Sequence, residues 1–343
     1  MIKDEDIRYQ IFTAPNKDIV ELLQHTIYGS KGLRYGHLDV QSRTEDLDQP
    51  DFHTLYIADE LAAVAAYCHR DISMENYPLQ GIYIRYFSVK EKFQGHGLGK
   101  KLTEFIDAHY RKTVTAPAVG YAYIESKNAP SLAVSKRFKQ IEIGKFKSIY
   151  FSRFFPKKST IVEPASHETA KELLKENYHK YACYTPQKLN YKNGYRVIKR
   201  NGIIVAGIQA NKVNWRIKKL PGIMGWLTQN VLHYVPIIGR LCPQDTYSFV
   251  GFEGVFVRYG YLNELFNLME HCLAEHQVNS GVLALDITDN LFTQLDKHPK
   301  LGAMSKLQKS HPFSILINDL NLNQNYLREL NNRPKYISVF DVT

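Results

Sequence analysis

The stretch VKEKFQGHGLGKKL, residues 89–102, sets three glycines and a histidine between a β-prone run, GIYIRYFSV (81–89), and an amphipathic one, KKLTEFIDAHYRK (100–112). In the second run Leu102, Phe105, Ile106 and His109 share one helix face. A strand that ends in a glycine turn and opens a helix aims free backbone N–H groups and the positive end of the helix dipole at one point, so that point attracts an anion. Glycine is required because side chains would hold a phosphate away from the backbone and because positive φ costs glycine little. Lys100 and Lys101 add charge. From Gly95 the spacing is G-x-G-x-G, not the G-x-G-x-x-G of dinucleotide loops. The residues before Lys100 also lack the four-residue gap, and those after it the Ser or Thr, of an ATPase loop.

The rest of the 343-residue chain bounds the setting. Its length favours two domains, and 44% hydrophobic, 23% charged and 12% aromatic residues describe a folded globular protein rather than a disordered one. A net charge of +10 suits an anionic partner without choosing among nucleotide, nucleic acid and membrane. Cys68, Cys183, Cys242 and Cys272 are far apart, form no C-x-x-C pair and have no histidine at ligand spacing, which argues against a disulfide framework or a zinc site. The N-terminus, MIKDEDIRYQ, places acidic residues where a signal peptide needs a basic region, so a cytoplasmic location is expected.

Periodicity gives the order β-α-β-β-β-α-β-α-β-β for the first half, with QIEIGKFKSIYFSRFF (140–155) read as a long hairpin. PKKSTIVEPAS (156–166), with two prolines and a basic pair, is the expected linker, giving domains 1–157 and 158–343. The strand-helix-strand run at 252–287 parallels that at 81–125, which reads as a second copy of the same architecture. YISVFDVT (336–343) reads as a final strand.

Val89-x-x-x-x-Gln94-x-x-Gly97-x-Gly99 resembles the V-x-x-x-x-[RQ]-x-x-G-x-[GA] signature of the GNAT superfamily of N-acetyltransferases. NAPSLAVSKRF (128–138) resembles that family's second motif, N-x-x-[AS]-x-x-[VL], at Asn128, Ser131 and Val134. The resemblance implies an α/β (α+β) fold of two GNAT-like domains, each a mixed, mostly antiparallel twisted sheet flanked by helices, the first binding acetyl-CoA and the second degenerate. It implies that the backbone of Gln94, Gly95, His96, Gly97, Leu98, Gly99 and Lys100 grips the pyrophosphate. Phe87, Ser88 and Val89 would pair with the pantetheine arm, and Asn128 and Ser131 would meet the pantetheine or adenosine end. An amine would then attack the thioester directly, with no covalent enzyme intermediate.

The chain departs from the family pattern on the acid–base side. The strand 81–89 has no carboxylate, which leaves Glu125, at the end of the next strand, as the candidate base, with Tyr83 and Tyr86 lining the site. Ser135 stands where many members carry a tyrosine that protonates the leaving thiolate. His96 reads as a phosphate-side or solvent-facing group, and no histidine arrangement supports a metal. The second half offers VRYGYLNELF (257–266) where the loop would be, without the glycine pair, and its roles reduce to completing the cleft, binding the amine or forming an oligomer interface.

Residues 220–239, LPGIMGWLTQNVLHYVPIIG, carry no charge and follow Lys212, Arg216, Lys218 and Lys219. Two prolines and polar Gln229 and His233 argue against a spanning helix. A packed insertion or lid between strands of the second domain is the favoured reading, ahead of a peripheral membrane contact or an acyl-chain channel. The expected activity is transfer of acetyl from acetyl-CoA to an unidentified amine, with no metal and no nucleic-acid partner. The competing readings are a catalytically weak acyl-CoA sensor and a transferase using a longer acyl chain or aminoacyl-tRNA.

Overall fold

A computed structural model describes residues 4–29, 33–72, 79–185, 188–242, 245–307 and 311–343; the first three residues of the N-terminal stretch read above lie outside them. The strands are β1 Ile7–Phe12, β2 Arg34–His37, β3 Pro50–Ile57, β4 Glu60–Ile72, β5 Leu79–Val89, β6 Ala118–Glu125, β7 Ile141–Ser152, β8 Val162–Pro164, β9 Tyr195–Arg200, β10 Ile203–Lys219, β11 Thr246–Val257, β12 Ser280–Asp286 and β13 Phe313–Leu320. The helices that matter for the site are α1 Lys17–His25, α2 Val40–Glu45, α3 Leu98–Thr113, α4 Ala129–Arg137, α5 His167–Tyr178, α6 Gly222–Asn230 and α7 Leu262–Glu275.

One mixed sheet holds all these strands in the order β1-β3-β4-β5-β6-β13-β7-β12-β11-β10-β9-β8, with β2 added beside β10. Two ladders are parallel, β5 with β6 and β11 with β12. Each is bridged by a helix, α3 in the first case and α7 in the second, as parallel neighbours require. The remaining ladders are antiparallel.

The sheet runs across the expected boundary near residue 157. β7 is a single strand rather than a hairpin: its first half pairs with β13 and its second half with β12. β13, from late in the chain, fills the place beside β6. The alternating pattern of 140–155 was legible, but its partners are more than 120 residues away, beyond the reach of local spacing. Part of the linker, Val162–Pro164, pairs with β9. The end of the chain also differs from expectation: Val339–Val342 is a short helix tucked against β11 and β12, because Ser338 and Phe340 are tied to the buried Glu253.

The centre of the first half is β4, whose Ala62, Ala63, Val64, Ala65 and Ala66 are fully buried. Small residues let helices approach both faces closely. Leu98, Leu102, Ile106 and Tyr110 of α3 pack on Ala63, Ala65 and Ile82. Ile19, Leu22 and Leu23 of α1, with Val40 of α2, pack on Val64, Ala66 and Tyr86 from the other side. Truncating a core side chain such as Leu102 to alanine costs about 2–5 kcal/mol. Asn16 starts α1 by accepting the Ile19 N–H at 2.9 Å.

Candidate acyl-CoA site

The strands β5 and β6 pair only from Gln80–Tyr83 to Ala118–Tyr121, and beyond that point they diverge. The cause lies in β5. Between the pairs Val64–Ser88 and Ala66–Arg85 the register slips, and Tyr86 sits at φ +54°, a left-handed conformation that bends the strand. The edges of residues 84–89 and 122–125 therefore face each other without a ladder between them. Backbone groups on such edges require partners, and an extended ligand laid in the gap supplies them.

The glycine loop lies at the mouth of this gap. Gln94 folds back so that its Nε2 donates to the carbonyl of Val89 at 3.0 Å, closing the strand end. Gly95 and Gly97 take φ +82° and +76°, and a Cβ at either would meet nothing within 4 Å: the cradle is open on that side. Gly97 is the residue before α3, and the N–H groups of the helix's first turn have no carbonyl a turn earlier to bind. Gly99 is small for a different reason, since its Cβ would reach Phe87 at 3.4 Å and Val89 at 3.7 Å, where helix and strand pack. His96 is exposed, Lys100 lies 3.4 Å from Glu104, and an open groove of about 600 Å³ lined by Tyr9, Gly97, Lys100 and Lys101 adjoins the loop. Asn128 precedes α4, its Oδ1 accepting the Ser131 N–H at 3.3 Å, so the second motif's two polar residues form a helix cap.

The three candidate acid–base residues occupy different settings. Tyr83 is buried, its ring under the Arg70 guanidinium, and its hydroxyl donates to the carbonyl of Asp341 at 2.8 Å. Ser135 is buried on α4. Glu125 is half-buried at the open end of β6, near enough for its charge to act on the hydroxyls of Tyr35 and Tyr150.

On the α1 face of the gap the fold assembles a group of which sequence reading named only Tyr86. β2 pairs with β10 so that His37 stands opposite Trp215. Tyr35 stacks on Trp215 at 3.9 Å, and Tyr28, His37 and Tyr86 lie within 6.4 Å of one another, ring to ring. The Tyr28 hydroxyl, His37 Nδ1 and Trp215 Nε1 are buried without a hydrogen-bond partner. An unpaired buried polar group costs about 1–3 kcal/mol, so three in one cluster make this group a candidate ligand-facing surface. Burial, then the charges of Arg43 and Arg85, hold His37 well below the usual imidazole range, so it is neutral at pH 7. Burial pushes Tyr35 up to about 12. The Arg85 guanidinium lies 4.6 Å from the Tyr86 ring, and Arg43 donates to the Tyr86 hydroxyl and to the backbone oxygen of Thr343. Besides Tyr86, Arg85 was visible as a lone charge inside GIYIRYFSV.

The bulge recurs in the second half at Gly254, φ +60°, where β11 and β12 also part after three pairs. There the carbonyls are already taken: Tyr195 donates to Gly254 at 2.8 Å, and Tyr178 and Asn177 donate to Val255 at 2.8 and 2.9 Å. Among the described residues no cluster of three or more His, Cys, Asp or Glu side chains is arranged to hold a metal ion.

A strand bulge, a splayed parallel pair and an open glycine cradle at the start of the crossover helix agree with what comparison of the sequence finds. Residues 18–139 match the acetyltransferase (GNAT) family. Over that segment, which is less than half of the chain, the protein is similar to the GNAT family. No curated protein matches the chain in sequence. Among solved structures, Saccharomyces cerevisiae N-myristoyltransferase with bound myristoyl-CoA is similar over 92% of this chain and 85% of that one, with TM-score 0.55 and 11% identity. A GCN5-related N-acetyltransferase from Anabaena variabilis is similar over 92% of this chain and 73% of that one, with TM-score 0.52 and 10% identity. At such identities the likeness is one of fold. It spans more of the chain than the matched residues 18–139 do.

Proposed function

We propose that the protein is an acyl-CoA-dependent N-acyltransferase that moves an acetyl group from acetyl-CoA to an amine, with residues 1–157 carrying the donor site and 158–343 completing the acceptor side. The observation that carries this reading is the gap between β5 and β6, which opens beside the glycine cradle. The pyrophosphate sits on the N–H groups of residues 94–100, and the pantetheine pairs with Phe87, Ser88 and Val89. Tyr83 of β5 and Tyr123 of β6 pack ring to ring at 5.3 Å, and Tyr123 packs on Phe146 at 5.1 Å; on this reading that filled core leaves room for a short acyl group.

The acceptor occupies the aromatic group of Tyr28, Tyr35, His37 and Trp215. Glu125 removes the ammonium proton, directly or through water. The free amine attacks the thioester carbonyl, the C–N bond forms as the C–S bond breaks, coenzyme A leaves as a thiolate, and the proton the new amide nitrogen sheds passes through water to that thiolate. A thiol with an ordinary value near 8.5 leaves without a dedicated acid, so neither Tyr83 nor Ser135 is required to donate. The test is thiol release from acetyl-CoA and from longer acyl-CoAs, measured with purified protein against a panel of amines. Turnover greatest with acetyl-CoA is expected. Tight coenzyme A binding with no turnover on any amine would make the protein a sensor instead.

A further inference from the structure

We propose that α6 and the turns after it, with their basic flanks, form a docking surface for an anionic phospholipid bilayer. Large apolar side chains exposed singly are ordinary, but a contiguous group marks a contact surface. Here Ile223 is 80% exposed, Trp226 60% and Tyr234 73%, and Val231, Ile237 and Ile238 also face solvent. In place of the close packing expected from the sequence, α6 turns Ile223 and Trp226 outward. Arg240 stacks on the exposed ring of Phe155 at 4.6 Å, which joins a further aromatic to the edge of the group.

Charge selects the occupant. Lys212, Arg216, Lys218 and Lys219 on β10 are exposed and lead directly into the segment; Arg240 lies at its far end. None of these five makes an ion pair with a described residue, and residues 220–239 hold no carboxylate to neutralise them. A second copy of the chain would press this rim against its own like charge on a protein of net charge +10. An anionic lipid surface meets the cations, each contributing about 1 kcal/mol near the headgroups, while Trp226 and Tyr234 suit the headgroup–acyl boundary. At nine residues α6 is far too short to cross a bilayer, and among the described residues no helix is long and apolar enough to do so. The segment lies in the interface plane.

The test is co-sedimentation of the full chain with phosphatidylcholine vesicles made with and without phosphatidylserine, read alongside tryptophan emission. Trp226 reports, because the only other tryptophan, Trp215, is packed in the ring stack with its indole N–H buried. Binding to phosphatidylserine vesicles that weakens with salt, together with a blue-shifted emission, is expected. The pair Trp226→Ala and Ile223→Ser should weaken it by about tenfold or more, since each removes a buried side chain's share of apolar transfer. Lys218→Glu with Lys219→Glu should abolish the phosphatidylserine dependence, and both double variants should keep their acyl transfer in solution. Absence of vesicle binding, equal binding by the apolar double variant, or self-association that shields Trp226 without lipid would overturn the proposal. So would binding of RNA that competes with vesicles for the same lysines.

Discussion

Arg70 and Asp341 meet in the core as a two-pronged ion pair, Nη1 to Oδ2 at 2.5 Å and Nη2 to Oδ1 at 2.7 Å, although 271 residues separate them. Tyr83 adds its hydroxyl to the carbonyl of the same Asp341. The end of the chain is thus bolted under the strand that carries the candidate acyl-CoA site. Arg70→Ala leaves the Asp341 carboxylate buried without its partner, and a loss of about 3–5 kcal/mol is expected in urea unfolding. Replacing both by apolar residues, Arg70→Met with Asp341→Leu, should recover most of it. Tyr83→Phe removes one hydrogen bond and should cost about 1 kcal/mol while leaving turnover near normal. A large fall in kcat with unchanged stability would instead give that hydroxyl a chemical role.

Gly97 separates cradle from scaffold. Alanine there meets nothing, so Gly97→Ala pays only the left-handed backbone cost of about 1–2 kcal/mol and should retain coenzyme A binding. Gly97→Glu puts a carboxylate where the pyrophosphate is placed and should abolish binding in calorimetry with the fold intact. Near-normal affinity in that variant would remove the donor-site assignment. Gly99→Leu fails differently: it wedges α3 from Phe87, and the loss should appear in stability as well as affinity.

The reach of the sequence follows from which forces are local. The glycine loop, the helix after it and the short helix that follows Asn128 depend on residues within about one turn of each other, and they were legible; the capping role of Asn128 itself was not read. The gap between β5 and β6 was not, because it depends on Tyr86 adopting a left-handed conformation that the residue type disfavours and that β4 imposes through its register. Nor was the stacking of Tyr35 on Trp215, since the two meet only when β2 leaves the first half to pair with β10. The same long-range exchange places β13 and β12 beside the two halves of β7, where local spacing suggested that 140–155 folds on itself as a hairpin.

Glu125 as the base predicts a split between binding and chemistry. Glu125→Gln keeps the size of the side chain and its place at the end of β6, so acetyl-CoA affinity should be unchanged while kcat falls about 10²–10⁴-fold at neutral pH. The loss should shrink as pH rises, because the amine then arrives deprotonated without help. An equal loss at every pH would sink the assignment. His37→Phe preserves the ring packing with Trp215 and Tyr86 but not the unpartnered nitrogen, and its effect should fall on KM for the amine rather than on KM for acetyl-CoA.

Glu253 makes stability depend on pH in a direction opposite to most carboxylates. It is buried on β11, where Tyr336, Ser338 and the Phe340 N–H donate to it at 3.0, 3.2 and 3.3 Å and hold the C-terminal segment in place. Burial, reinforced by the charge of Asp341, outweighs those three donors and raises its value to about 7 from the usual 4.5. The folded state therefore holds a proton that the unfolded chain has released between those values. Stability from this group is greatest below about 4.5, falls as pH rises toward 7 and is level above it, a total of about 3 kcal/mol. Buried His53, lowered to about 4, works the other way over part of the same range, so the raw pH profile mixes the two. The difference between the native chain and Glu253→Gln, taken from urea midpoints at successive pH values, isolates the glutamate. The variant should gain stability relative to the native chain between pH 5 and 7, and a flat difference would show that the carboxyl is already ionised in the folded protein.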